Sequence, residues 1–325
     1  MRMRLLRPQA GRTLIELMVA IALGMLILLG VGGLYVASQQ STRSATNVAS
    51  ADNTGQVALA LIGASVRRAG FSELAAAISA GSGGGEDRRA SLAYQGPPMR
   101  GCSTASFGSN NPANACGTAV AGAPDSLAVW FQADNALGAS QGGGATADCA
   151  GNLPGFSAVN VSVPGSLVVA QNLYYVDTTN QTLMCRGGTP AAQGTATPVL
   201  SGVEDFKVFY GFDGASYGTP AVPGNPAPLS VRTAAEMALL TAPTPNLTAW
   251  DYVVSVTVCV LVRTEEASVS TQGSSATYQP CPQTSREAAG LDAISPVASP
   301  DGRIRRAVVQ TFSVRSATRP NPLAG

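Results

Sequence analysis

Apolar side chains follow two different rhythms along this chain. From Leu17 to Thr42 no side chain is charged, and the run reads LMVAIALGMLILLGVGGLYVASQQST. As a helix, a stretch of this length can cross a hydrocarbon core of about 30 Å. Beyond it Val48, Ala51, Gly55, Leu59, Ile62 and Val66 recur at three- and four-residue steps, with Ser41, Thr42, Asn47, Asn53 and Gln56 on the other faces. That is the apolar stripe of an amphipathic helix continuing the first segment. Arg67 and Arg68 suit the negative end of a helix dipole, and Gly70 is the expected C-terminal cap. One helix from about Thr13 to Arg68 would be roughly 80 Å long at about 1.5 Å per residue.

From Gly81 onward the period shortens to two. Leu127, Val129 and Phe131 alternate in SLAVWFQA, and SLVVAQNLYYVD and QTLMCR follow as hairpin-like runs. GVEDFKVFYGFD puts Phe206, Val208, Tyr210 and Phe212 on one face. DYVVSVTVCVLVR aligns Val254, Val256, Val258, Val260 and Val262, and RRAVVQTFSVRS predicts a last strand near 305–316. Turn-rich stretches separate these runs: GSGGGE, GASQGGGATAD and the proline-rich 218–228. A long helix followed by such strands predicts an α+β fold, the helix packed on an antiparallel β-sheet.

Composition narrows the chemistry. The 325 residues include 36 Gly and 21 Pro, only 12% are charged, and the net charge is +1, so no global basic footprint for nucleic acid exists. There is no histidine. That excludes Ser-His-Asp and Cys-His catalysis and every His-ligated metal site. Cys102, Cys116, Cys149, Cys185, Cys259 and Cys281 include no C-x-x-C pair, so zinc ribbons and thioredoxin-like sites have no basis. On a chain that crosses a membrane, an even count favours disulfides in an oxidising compartment. Fifteen pairings are open to six cysteines. The expectation is sequential: Cys102–Cys116, Cys149–Cys185 and Cys259–Cys281, against one or two remaining as buried thiols.

The start of the chain is the most specific part. MRMRLLRPQAG carries three arginines and no acid, which would hold that end in the cytoplasm and send everything after Tyr35 across. A secretory signal would have a shorter apolar core, and a plain signal anchor leaves Glu16 unexplained. A carboxylate at the head of an apolar run costs on the order of a few kcal/mol to bury and is by default functional. Gly30, Gly32 and Gly33 follow in the run. They either soften the helix, at about 1 kcal/mol each relative to alanine, or allow close small-residue helix packing.

The string Gly11-Arg12-Thr13-Leu14-Ile15-Glu16-Leu17-Met18 resembles the type IV prepilin signal: a glycine, one residue, then T-L-I/V-E-L ahead of an apolar run. The resemblance implies that a membrane-embedded prepilin peptidase cuts after Gly11 and methylates the new terminus at Arg12. Losing the leader would take the net charge from +1 to about −2. Glu16 would then pair with the amino terminus of a neighbouring subunit and set axial register. Arg12 departs from the pattern, which usually has Phe or another apolar residue there. The implied organisation is a leader at 1–11, a membrane or filament-core half-helix at 12–37, an amphipathic half at 38–70 and a periplasmic β-rich domain at 71–325.

Further pieces look like the PilW-type minor pilins and, more distantly, the J-type pseudopilins of type II secretion. They are Arg67-Arg68-Ala69-Gly70-Phe71, Gly202-Val203-Glu204-Asp205-Phe206, Tyr210-Gly211-Phe212-Asp213, Trp250 before the valine-rich strand, and Arg305-Arg306. The resemblance implies an inner-membrane protein, later incorporated into an extracellular pilus, that helps initiate assembly near the filament tip. Its partners would be the peptidase, other minor pilins, the major pilin and the inner membrane. The alternatives are a type II secretion pseudopilin and a tip adhesin or DNA-binding subunit that reads a surface or DNA ligand through the Gly-rich loops.

No catalytic constellation, cofactor or metal site is expected, and the chain is read as a non-enzyme. Glu204/Asp205 and Glu265/Glu266 read as solvated strand ends, and Asp213-Gly214 as a turn lacking the several oxygen ligands a calcium site needs. Gly81–Gly85 lacks the lysine of a phosphate loop. Tyr174 and Tyr175 have no basic stripe for nucleobase stacking and read as packing or strand-edge residues.

Overall fold

The computed structural model describes residues 13–71, 97–107, 116–132, 148–151, 169–188, 193–213, 230–241, 248–267, 277–299 and 301–314. The leader, Gly81–Gly85 and the 218–228 stretch lie outside them. The chain divides into two compact units, Met1–Val48 and Ala49–Gly325. Helix α1, Leu14–Arg68, begins in the first unit and ends in the second.

Within the first unit the large apolar side chains from Leu14 to Val36 are exposed among the described residues, Leu14, Leu29 and Leu34 about three-quarters so. The first turn closes on Thr13, whose carbonyl accepts from the Glu16 and Leu17 amides at 3.0 and 3.3 Å. Glu16 therefore stands where the free amides of a helix start favour a negative charge.

In the second unit Ala51, Gly55, Ala58, Leu59, Ile62, Gly63, Ser65 and Val66 of α1 are buried. The predicted stripe from Ala51 onward is there, widened by Ala58, Gly63 and Ser65. The helix stops at Gly70, whose φ of +67° a residue with a Cβ adopts only at a cost. Its amide then donates to the Trp130 carbonyl at 2.8 Å, which hands the chain from helix to sheet.

Two sheets, where the sequence suggested one, face this helix. The first runs in chain order through β1 (Met99–Cys102), β2 (Ser126–Gln132), β3 (Val169–Asp177), β4 (Thr182–Gly188) and β5 (Gln193–Ser201). The second contains β6 (Val203–Phe212), β7 (Ser230–Thr233), β8 (Val253–Arg263) and β11 (Arg305–Ser313), in the order β11-β8-β6-β7. All pairs in both sheets are antiparallel. A small ribbon pairs β9 (Thr277–Tyr278) with β10 (Val297–Ala298). Short helices α2 (Ala234–Ala238) and α3 (Ser285–Ala288) both open on a Thr capping box.

One hydrophobic core joins α1 to the inner faces of both sheets. It includes Leu59, Ile62 and Val66 of the helix, Leu127, Val129 and Phe131 of β2, and Phe206, Val208 and Tyr210 of β6. On β8, Val256, Val258, Val260 and Val262 face it as their alternation predicts, but Val253 takes the place expected for Val254. The ladder with β6 shifts register between Gly211 and Phe212. A bulge there adds one residue, and one residue exchanges the faces of a strand.

The cysteines form Cys102–Cys116, Cys149–Cys185 and Cys259–Cys281 disulfides, and none is free. Cys259, Leu261 and Cys281 make a separate small apolar cluster. The back face of β8 is thus dry at that end too.

Candidate functional site

The site that the sequence singles out is the start of α1. Gly11 and Arg12 lie outside the described residues. Glu16 sits in the first turn, ahead of the exposed apolar stretch of the helix. Length and composition suit it to a membrane or to the apolar core of an assembly. Among the described residues its large apolar side chains stay exposed.

The remaining recognised motifs come together as the framework of the second unit. Glu204 accepts from Arg305 Nε at 2.6 Å and Nη2 at 2.9 Å, and from Arg263 Nη1 at 3.4 Å. Arg305 also forks onto Asp301 through Nη1 at 2.6 Å and Nη2 at 2.8 Å, while its guanidinium lies 5.3 Å from the Tyr278 ring centroid. Planar two-pronged pairing of this kind needs arginine. These hydrogen bonds hold the Arg305 proton more tightly than usual and push the Asp301 carboxyl below its ordinary range. The neighbouring Arg306 pairs with Asp52 of α1 at 3.0 Å.

Glu204 and Asp205 are therefore not solvated strand ends. Both side chains are largely buried, and Asp205 lies 3.8 Å from Lys207 Nζ. Burial raises the Asp205 carboxyl, with Lys207 partly opposing it. Acidic residues at a strand end look solvated in the sequence because their cations come from strands far along the chain. Asp213 is also buried, at the end of β6, and its amide donates to Tyr252 O at 3.0 Å.

The two tyrosines of β3 part company. Tyr174 is buried, its hydroxyl 2.8 Å from Ser65 Oγ of α1, and Asn172 Nδ2 donates to the same Oγ at 2.9 Å. Burial pushes the Tyr174 phenol up to about 12, against the lowering effect of Ser65. Asn172 Oδ1 accepts the Cys149 amide at 2.9 Å, which ties the helix and β3 to a disulfide. Tyr175 is half-buried beneath the Arg186 guanidinium. Trp250 meets Tyr210 edge-on at 4.9 Å between ring centroids. These motif residues of the second unit thus have structural partners.

Sequence comparison agrees with this division of labour. Residues 6–32 match the prokaryotic N-terminal methylation motif. Residues 173–316, from β3 to just past β11, match the family described as type IV pilus-assembly protein W, or PilW. No curated protein gives a significant match. A type IV-like pilin from Thermus thermophilus is similar at 16% identity over 61% of this chain and 82% of that one, with a TM-score of 0.30. That last likeness is too loose to bear on the assignment. The chain thus joins an N-terminal methylation motif, at the head of its apolar helix, to a segment similar to the PilW family that spans its second sheet.

Proposed function

We propose that this protein is a minor pilin that helps initiate type IV pilus assembly at the filament tip, together with other minor pilins, and that its role is structural rather than enzymatic. The observation that carries this reading is the start of α1: an exposed apolar helix with Glu16 at its head. Such a helix is stored in the inner membrane, with the leader cytoplasmic and the β-rich unit periplasmic. Prepilin peptidase cuts between Gly11 and Arg12 and methylates Arg12. The freed amino terminus of a neighbouring subunit then offers the positive partner that a carboxylate in apolar surroundings requires.

The test has two parts. Mass spectrometry of the chain made with and without prepilin peptidase should find N-methylated Arg12 only when the peptidase is present. Glu16→Ala should still be cleaved, yet enter filaments at least tenfold less often. A deletion strain should make few pili and regain them on complementation. Loss of protein secretion with normal piliation would instead place the subunit in a type II secretion system.

A further inference from the structure

Lys207 is the only lysine in the chain; all the other basic side chains are arginine. It is also buried, with 4% of its side chain exposed. The residue lies on β6, on the face opposite the main core, where it pairs in register with Cys259. Its amine donates to the Ala123 carbonyl at 2.7 Å and stands 3.9 Å from Asp125 Oδ1 and 3.8 Å from Asp205 Oδ1. An arginine would serve as well or better for a buried ion pair, since it holds its charge and forks onto carboxylates. What only lysine offers is a primary amine that becomes a nucleophile once it sheds its proton.

Asp125 is held as an acyl group would be. Its Oδ2 accepts the buried Val208 amide at 3.0 Å, and Oδ1 accepts the partly exposed Thr104 amide at 2.8 Å. Its own amide donates to Phe206 O at 2.7 Å, so the backbone of Asp125 is pinned to β6 as well. Burial raises the Asp125 carboxyl above its ordinary range, against the opposing pull of Lys207. Burial raises Asp205 in the same direction, so both carboxyls beside Nζ hold a proton more readily than a solvated aspartate does.

We infer that Lys207 and Asp125 form an intramolecular isopeptide bond, with Asp205 as the proton relay. In the neutral pair, the Nζ lone pair attacks Asp125 Cγ. Oδ2 carries the developing negative charge, where the Val208 amide stabilises it. Asp205 takes a proton from Nζ and delivers it to the departing oxygen. The Cγ–Oδ1 bond breaks and one water leaves. An ammonium and a carboxylate thus become an amide and water, with no change of oxidation state. Oδ2 remains as the amide carbonyl on Val208, and the partly exposed Thr104 amide turns to solvent. The bond joins the segment entering β2 in one sheet to β6 in the other, and so links the sheets covalently for a subunit under tension.

A sole lysine makes the test clean. The full-length protein is purified, reduced, fully denatured and digested with a protease that cuts only after lysine. With the isopeptide formed, the chain resists cutting at residue 207, and its intact mass is lower by one water than the sequence of the reduced chain requires. Asp125→Ala should restore complete cleavage and the full mass. Asp205→Asn should slow closure by about a hundredfold in a time course on freshly made protein. Quantitative cleavage of the denatured wild-type chain after Lys207, at the unmodified mass, would overturn the inference and leave a non-covalent triad. That reading needs no variant to fold.

Discussion

At Gly63 α1 lies against Phe312 of β11 in the second sheet. A Cβ placed there falls among the Cδ1, Cε1 and Cζ atoms of Phe312, with Cζ 2.6 Å and Cδ1 2.8 Å away. The ring has little room to retreat, being 3% exposed and capped by the Arg67 guanidinium 5.3 Å from its centroid. Two effects oppose each other in Gly63→Ala. Helix propensity favours alanine by about 1 kcal/mol, and overpacking a tight core costs about 1–3 kcal/mol. With three ring atoms displaced, the cost belongs in the upper part of that range, so the net loss is about 1–2 kcal/mol. For a unit of this size that lowers Tm by roughly 3–7 °C. The assay is thermal unfolding of the full-length protein in detergent, followed by near-ultraviolet circular dichroism of the aromatic core. Gly33→Ala is the control, because its Cβ would meet nothing within 4 Å, and it should leave that transition unmoved. Phe312→Leu should relieve the clash, so the double variant should be more stable than the sum of the two losses by about 1 kcal/mol. A Gly63→Ala protein as stable as wild type, or strictly additive losses, would refute close packing as the reason for glycine here.

Other consequences concern polar groups. Ser65→Ala leaves Tyr174 and Asn172 without their shared buried partner and should cost about 1–3 kcal/mol, measured by urea unfolding. Because the folded Tyr174 phenol titrates at about 12 while an unfolded one titrates near about 10, its contribution is complete below the lower value. It is lost as pH climbs to the upper one, and Tyr174→Phe should flatten that part of the stability curve. Replacing each cysteine pair by serine should cost about 3–4 kcal/mol, most for Cys149–Cys185, whose sequence separation of 36 is the largest. Arg305→Lys keeps the charge but loses the fork onto both Glu204 and Asp301, and should lower Tm nearly as much as Arg305→Ala does.

How much of this was legible beforehand depended on the range of the interaction. The helix could be read because its period is local: Ala51, Gly55, Leu59, Ile62 and Val66 repeat within a single element. The alternation of Phe206, Val208 and Tyr210, and of the valines in β8, was equally local. Short β1 and β7 were not legible, since four residues carry too little periodicity. The largely exposed β5 was missed as well, because only Val199 and Leu200 half-bury against the core and they are adjacent rather than alternating. Glu204 was misread because its cation, Arg305, lies 101 residues away.

The chain by itself determined the long helix, the Gly11-to-Met18 motif and the carboxylate at the head of an apolar run, because each rests on residues adjacent in sequence. Only the tertiary structure decided that the strands divide into two sheets, that a bulge exchanges Val253 for Val254, and that the sole lysine is sealed between two aspartates. Burial, register and charge pairing are properties of what packs against a residue, and here those neighbours arrive from distant parts of the chain.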